Sequence, residues 1–351
     1  MKFNKAEVAA IVTAQTEKLH SASSVKISLP QDAPIIVCFG GGVDSTAMLV
    51  ALKRQGIRPD LITFADTGSE KPDTYDHVRL MDEWLESVGF PLVTWCQKNT
   101  MPSTAYDDLT GNCIDNETLP SLAFGMKSCS IKWKQGPQDY AVMGCSRGPN
   151  KQDPHPLWID AQARGVKPVK LIGYDNGKAD IRRSKNLKGS DANFQYVYPL
   201  QQLGWGREDC ISAIIEEGLP VPIKSACFFC PASQKWELWW LAGKHPELFL
   251  KALKLEHKAM MGKHSRWGSD DCTYDKVWEE FVSKPADQWP TTDITVGLGR
   301  SFAWNHWARI NKIVDSQGQF IGDREHCLRQ AERLQAQGGN AADLRTCAGA
   351  I

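Results

Sequence analysis

The run that decides the fold joins a short apolar segment to a glycine-rich loop: Ile35-Ile36-Val37-Cys38-Phe39-Gly40-Gly41-Gly42-Val43-Asp44-Ser45-Thr46. Ile35–Phe39 has the length and the continuous apolar character of a strand that is buried on both faces. Residues 47–52 continue as an apolar helix. Glycines between them allow positive φ angles and a close approach to a ligand, and the helix N-terminus offers unpaired N–H groups to an anion. The run therefore predicts a strand–loop–helix unit that binds phosphate at Gly40–Thr46.

The segments that follow extend this unit to a sheet. Further apolar runs of strand length lie at residues 61–65, 92–96 and 169–173, and helical patterns lie at 74–88 and 207–217. Strands that alternate with helices are typical of a parallel sheet with right-handed crossovers. We expect a doubly wound parallel α/β sheet with an α-rich C-terminal extension. The predicted domains are an N-terminal helix (1–30), a nucleotide-binding domain (31–235) and a helical extension of unknown role (236–351).

The composition excludes several classes of protein. Among 351 residues, 41 Lys and Arg balance 41 Asp and Glu, which argues against coating nucleic acid through bulk positive charge. No apolar run reaches the roughly 20 residues that span a bilayer, and the polar N-terminus does not look like a signal peptide. The 11 scattered cysteines do not suggest a secreted disulfide framework. We therefore expect a cytoplasmic protein with no membrane partner.

The glycine-rich loop belongs to a specific type. A Walker A loop has lysine before its Ser/Thr, where this chain has Asp44 before Ser45, and the G-x-G-x-x-G spacing is absent. The loop resembles the Ser-Gly-Gly-x-Asp-Ser signature of the PP-loop superfamily, with Gly40 in place of the leading serine. The run Asp66-Thr67-Gly68-Ser69-Glu70-Lys71-Pro72-Asp73-Thr74 resembles the D-T-G-x-x-x-P-x-T segment of PAPS reductases. The chain is thus similar to the PAPS reductase-like family of that superfamily.

Later motifs follow in the same order, so that the resemblance covers about residues 34–235. Residues 127–134 resemble a Cys-Thr-x-x-x-Lys stretch of this family and of its DNA-phosphorothioation relatives. Gly173-Tyr174-Asp175, followed by Arg182 and Arg183, resembles the region that holds the sulfate or phosphate end of the ligand, although its usual arginine is missing. Residues 198–207 resemble the P-L-x-x-W segment, and residues 225–231 resemble the G-C-x-x-C end.

The resemblance implies a role for each matching residue. Asp44 and Ser45 are the expected catalytic residues, with Asp44 holding Mg²⁺ against the departing pyrophosphate. Asp66 and Thr67 would meet the nucleotide or a metal, or else form a turn before the next helix. Lys132 is a further candidate anion partner, and it and the two arginines could equally be surface charges. The full set of expected nucleotide-binding residues is Gly40, Gly41, Gly42, Asp44, Ser45, Thr46, Asp66, Thr67, Gly173, Arg182 and Arg183.

The cysteines suggest a second centre. Cys227 and Cys230 form a C-x-x-C pair, which suits a soft metal ion or an iron–sulfur cluster. Cys129 matches a family ligand position and is the expected third ligand. A [4Fe–4S] cluster, zinc and bare thiols all remain open. The fourth ligand is also open, between Cys113, Cys145 and Cys210.

Together these features predict an enzyme of ATP-dependent adenylyl transfer, which releases pyrophosphate and activates an acceptor for sulfur transfer. A sulfur donor and a nucleic-acid or protein acceptor are the expected partners. One alternative is reduction of PAPS or APS, which the missing Glu-Cys-Gly-x-His segment of those reductases disfavours. The other alternative is a non-catalytic nucleotide-binding module.

Overall fold

The computed structural model describes residues 25–120, 122–123, 126–146, 151–187, 189–261, 297–299 and 302–336. Most of the predicted N-terminal helix (1–30) lies outside these ranges, and residues 25–30 have no regular secondary structure. No helix within the described ranges is both long enough and apolar enough to cross a membrane.

Short strands and helices alternate along the chain. The strands are β1 (Ile35–Phe39), β2 (Leu61–Asp66), β3 (Val93–Gln97), β4 (Leu122–Ala123), β5 (Met126–Lys127), β6 (Val169–Ile172) and β7 (Gln195–Val197). The helices are α1 (Val43–Arg54), α2 (Pro72–Ser87), α3 (Leu109–Asp115), α4 (Ser128–Ser130), α5 (Gly136–Met143), α6 (Pro156–Ala163), α7 (Lys178–Asn186), α8 (Pro199–Gln202), α9 (Arg207–Glu216), α10 (Lys235–Lys244), α11 (Pro246–Met261), α12 (Trp304–Ile310) and α13 (Arg324–Ala336), with a π-helical stretch Ile131–Gln135 before α5.

Five strands form one parallel sheet in the order β3-β2-β1-β6-β7. Strand β1 is central, and its Val37 pairs with Ile62 on one side and Leu171 on the other. The order reverses between β1 and β6, because the chain first builds outward through β2 and β3 and then continues on the other side of β1. In open parallel sheets, ligands bind beyond the carboxyl ends of the strands at such a reversal.

Helices cover both faces of this sheet. Val37 and Phe39 of β1 belong to a core that includes buried residues of α1, α2 and α9. Ile36, which points to the opposite face, belongs to a second core with Val142 of α5 and Phe194. A strand buried on both faces explains the continuous apolar run that begins the fold. The prediction of a doubly wound parallel α/β sheet is confirmed.

The chain packs as two compact units. Described residues of 25–101 and 130–226 form the first unit, which contains the sheet. The second unit takes its described residues from 102–129 and 227–347, and it contains α3, the antiparallel pair β4–β5 and the helices α10 to α13. The domain bounds at residues 30 and 235 remain a prediction.

Candidate functional site

The glycine loop after β1 is tightly enclosed at two of its three positions. Gly41 has φ of +68°, and a Cβ there would lie 3.2 Å from the Cγ2 atoms of Thr74 and Val78. A Cβ at Gly42 would lie 2.9 Å from Ser225 Oγ. At Gly40, by contrast, the nearest neighbour would be Ser45 Oγ at 3.8 Å. Glycine is therefore required at position 41 by the backbone and its packing. A side chain at position 42 would need the Ser225 hydroxyl to move, and position 40 leaves room for a small side chain.

Side chains of α1 fix the loop where the helix begins. The Gly42 N–H donates to Ser45 Oγ at 3.3 Å, and that hydroxyl donates to Gly42 O at 3.1 Å. Thr46 Oγ1 lies 2.9 Å from His77 Nε2, and burial lowers the pKa of His77 to about 4, so that its ring is neutral at pH 7. The Thr46 N–H donates to Gly42 O. The N–H groups of residues 43–45 precede that bond and have no partner within the helix, as an anion site requires.

The end of β6 is pressed against the same helix start. A Cβ on Gly173 would lie 2.8 Å from both the Cα and the backbone nitrogen of Ser45. Only glycine allows two backbones to approach this closely. The approach places the residues after Gly173, including Asp175, beside the first turn of α1.

Three buried carboxylates meet at this point. Asp44 from α1, Asp175 from the loop after β6 and Asp180 from α7 each place one oxygen within 4.8 Å of the others. Their exposed fractions are 3%, 8% and 4%. The Asp175 N–H donates to Asp180 Oδ2 at 3.3 Å, and the Gly177 N–H donates to Asp175 Oδ1 at 2.8 Å. We call Asp44, Asp175 and Asp180 the carboxylate cluster.

Two guanidinium groups partly neutralise the carboxylate cluster. Arg207 Nη1 lies 2.9 Å from Asp44 Oδ1, and its Nε lies 4.0 Å from Asp175 Oδ2. Arg183 Nη1 lies 2.7 Å from Asp180 Oδ1, and its guanidinium carbon is 5.9 Å from the centre of the Tyr174 ring. The Arg207–Asp44 pair is close in distance but lacks the angles of a hydrogen bond, so that Asp44 Oδ1 is buried without one. Three ionised carboxylates and two guanidinium groups leave a formal charge of −1.

The electrostatics of Asp44 reflect this shortage of positive charge. Burial raises the pKa of Asp44 to about 7, opposed by Arg207 and reinforced by Asp175 and Asp180. Burial also raises the pKa of Asp180, opposed chiefly by Arg183. Oxygen ligands of this kind suit Mg²⁺, which would supply the missing charge. The residues present therefore fit a divalent cation.

Asp66, at the end of β2, has a different environment. Its Oδ1 accepts hydrogen bonds from the Gly68 N–H at 2.8 Å and the Tyr75 hydroxyl at 2.7 Å, and its Oδ2 accepts from Gln97 Nε2 at 2.8 Å. The neighbouring Thr67 hydroxyl donates to Glu70 Oε1 at 3.2 Å. These contacts favour the turn interpretation of Asp66 and Thr67. A contact of either residue with a nucleotide remains a prediction.

The structure separates the predicted cations from one another. Arg183 reaches the carboxylate cluster, whereas Arg182 and Lys132 have exposed side chains. Sequence reasoning missed Asp180 and Arg207 as site residues, and it noted Asp175 only within a motif. The sequence does contain a signal for Asp180. It lies three residues before Arg183 on a helix that follows the end of a strand, and this spacing places both side chains on one face of the helix.

The predicted cysteine ligands lie in the second unit. Cys129, Cys227 and Cys230 belong to it together with Cys113, whereas Cys145 and Cys210 belong to the first unit. The Cys230 N–H donates to Cys227 O at 3.0 Å, which closes a turn. Burial raises the pKa of the Cys113 thiol to about 12, and the nearby Cys129 thiol makes a smaller contribution in the same direction.

The spacing of these thiols bears on the kind of metal. Tetrahedral zinc with Zn–S bonds of about 2.3 Å needs sulfurs about 3.8 Å apart. Among the described residues, no three of these cysteine sulfurs lie within 4.8 Å of one another. Zinc, a [4Fe–4S] cluster and bare thiols all stay predictions for these residues. The cysteine set remains a prediction.

Comparisons with known proteins give little beyond this geometry. No family model and no curated protein matches the chain. Among solved structures, the U34-tRNA thiolase NcsA from Methanococcus maripaludis, with its [4Fe-4S] cluster, is similar at 12% identity and a TM-score of 0.36, covering 76% of this chain and 85% of that one. A likeness this distant carries no argument about activity or ligands.

Proposed function

We propose that the chain binds ATP with Mg²⁺ beyond the carboxyl ends of β1 and β6 and transfers the adenylyl group to an acceptor with release of pyrophosphate. The acceptor is then activated for sulfur transfer, as the resemblance to the PAPS reductase-like family implies. One observation carries the proposal: an enclosed glycine loop and a helix N-terminus lie beside a carboxylate cluster that is short of positive charge. Phosphate and a divalent cation are the two groups that such a pair of features would bind.

Different residues would bind the phosphates and the Mg²⁺ ion. The loop at Gly40–Gly42 and the first N–H groups of α1 would hold the β- and γ-phosphates, while Asp44, with Asp175 and Asp180, would hold Mg²⁺. Mg²⁺ bound there supplies charge neutralisation to the leaving group. A nucleophilic atom of the acceptor attacks the α-phosphorus, the bond to the bridging α–β oxygen breaks, and pyrophosphate leaves. A sulfur nucleophile then displaces AMP from the acceptor.

The test is the position of cleavage. ATP labelled at the α-phosphate is incubated with the protein and with cell extract as a source of acceptor, and the products are separated by chromatography. We expect AMP or an adenylated acceptor in the wild type and neither with Asp44→Asn. ADP formation that requires Asp44 would contradict the proposed bond cleavage, and sulfite release from PAPS would identify a reductase instead.

We further propose that Cys129, Cys227 and Cys230 hold a [4Fe–4S] cluster, with Cys113 as the fourth candidate ligand because it shares their unit. Anaerobically purified protein should contain iron and sulfide and absorb in the visible range. Replacing Cys227 or Cys230 with serine should remove both, while Cys145→Ser should leave them unchanged. Stoichiometric zinc without iron would contradict the cluster.

A further inference from the structure

Arg207 is a cation that reaches the carboxylate cluster from the edge of the site. It is the first residue of α9, and 26% of its side chain is exposed. Its backbone is held near Asp175, because the Asn176 N–H donates to Trp205 O at 2.7 Å. The side chain thus has a fixed base and an exposed path, and its guanidinium ends 2.9 Å from Asp44 Oδ1.

The contact between Arg207 and Asp44 is close but incompletely formed. It lacks hydrogen-bond angles, and Asp44 Oδ1 is otherwise buried without a donor. An arginine keeps its charge at all working pH values and pairs equally well with carboxylate and with phosphate. A divalent cation at Asp44 would compete directly for the oxygen that Arg207 contacts.

We infer that Arg207 is a nucleotide-binding residue that occupies the cation position at Asp44 in the unliganded chain and transfers to a phosphate oxygen when Mg²⁺ and nucleotide bind. The inference rests on the proposed function and adds a residue to it. In the unliganded chain Arg207 weakens the binding of Mg²⁺ at Asp44, and in the complex it binds the nucleotide. Its removal must therefore change the two affinities in opposite directions, which loss of a purely structural residue would not do.

The experiment compares two titrations by calorimetry at pH 8.5, where Asp44 is ionised. One uses MgCl₂ alone, and the other uses the α,β-methylene analogue of ATP with saturating Mg²⁺. Arg207→Gln should bind Mg²⁺ alone about 3- to 10-fold more tightly, because a competing charge is gone. It should bind the analogue about 10- to 100-fold more weakly, because a charge-assisted phosphate contact is lost.

Two further variants complete the design. Arg54→Gln removes another arginine that pairs with α9, through Glu216 at 3.1 Å, and should leave both affinities unchanged. Arg207→Lys keeps the positive charge but not the planar guanidinium group, which can donate two parallel hydrogen bonds. It should weaken binding of the analogue and leave Mg²⁺ binding close to that of the wild type. It also provides the readout if Arg207→Gln does not fold, as judged by circular dichroism.

The outcomes separate cleanly. Opposite changes in Arg207→Gln, with Arg54→Gln unchanged, support the inference. If both affinities fall together, or neither changes, Arg207 is a structural or surface residue and the inference is wrong while the proposed function stands. If the wild type binds neither Mg²⁺ nor the analogue, the proposed function fails and the inference fails with it.

Discussion

Asp44 and Asp66 are two buried aspartates near the ends of neighbouring parallel strands, and they differ in what surrounds their oxygens. Asp66 accepts three hydrogen bonds, from Gly68, Tyr75 and Gln97. Asp44 has an ion-pair contact with Arg207 but no hydrogen bond at Oδ1, and two further carboxylates lie within 4.8 Å. The first carboxylate is satisfied by the protein itself. The second is not.

Under the proposed function, this difference separates a structural carboxylate, Asp66, from one that binds a ligand, Asp44. A shift in the pKa of Asp44 from 3.8 to about 7 corresponds to about 4 kcal/mol of unfavourable free energy in the ionised folded chain. Because the folded pKa is raised, ionisation stabilises the unfolded state more than the folded state. The chain tolerates this cost at the site where a cation and a phosphate would offset it.

The largest expected effect comes from Asp44→Asn. It should reduce the affinity for Mg²⁺ with nucleotide at least about 100-fold. It should also raise the free energy of unfolding of the unliganded chain at pH 8 by about 2 to 4 kcal/mol, because a buried charge is removed. Calorimetry measures the affinity, and guanidinium denaturation measures the free energy of unfolding. Loss of stability would show that Asp44 is satisfied within the protein.

Asp66→Asn should act in the opposite direction on stability. An amide nitrogen cannot accept the bonds that Asp66 now receives, so the free energy of unfolding should fall by about 1 to 3 kcal/mol. Tyr75→Phe, which removes one of the donors, should cost about 1 kcal/mol. Denaturation at pH 8 measures both. A stabilised Asp66→Asn would remove the distinction between the two aspartates.

The pH dependence sharpens the same comparison. The difference in stability between the wild type and Asp44→Asn should be constant below about pH 3, where Asp44 is protonated in both the folded and the unfolded state. The relative stability of the wild type should fall as the pH rises from about 4 to 7 and stay constant above that, since the folded pKa is about 7. Denaturation at four pH values between 4 and 8 tests this. A flat difference across the range would mean that the pKa of Asp44 is not raised.

The smallest expected effects come from substitutions in the glycine loop, which test its backbone separately from the charged residues. Gly40→Ser should change stability by less than about 0.5 kcal/mol, because a Cβ there has room. Gly41→Ser should cost about 1 to 3 kcal/mol, because φ is +68° and two methyl groups lie 3.2 Å away. Thermal unfolding compares the pair, and equal losses would contradict the packing described for the loop.

The sequence predicted the parts of the fold that depend on local pattern. The strands β1, β2, β3 and β6 follow from short apolar runs, and α1, α2 and α9 follow from the segments between and after them. The sequence patterns predicted no helix between residues 100 and 160, where the structure has α3, α5 and the start of α6. Pro137 and Pro156 lie in the first turns of α5 and α6. Proline is favoured at the start of a helix, so these two residues mark helices that the pattern of apolar residues does not show.

The site was predictable only in part for a similar reason. The loop at Gly40–Thr46 is one contiguous run, so a motif in the sequence is enough to predict it. The carboxylate cluster combines residues 44, 175 and 180 with an arginine at 207, and these meet only because the sheet order reverses between β1 and β6. Their meeting depends on topology and on the close contact of Gly173 with α1, neither of which a local pattern shows.

The most direct test of the central claim, that Asp44 is kept for a cation and Asp66 is not, uses Mn²⁺ as a paramagnetic substitute for Mg²⁺ at carboxylate ligands. Electron paramagnetic resonance counts bound Mn²⁺ per chain in the presence of the α,β-methylene analogue of ATP. The account predicts one tightly bound Mn²⁺ in the wild type and in Asp66→Asn, and none in Asp44→Asn. Equal Mn²⁺ binding in Asp44→Asn and the wild type, or loss of binding in Asp66→Asn alone, would contradict it.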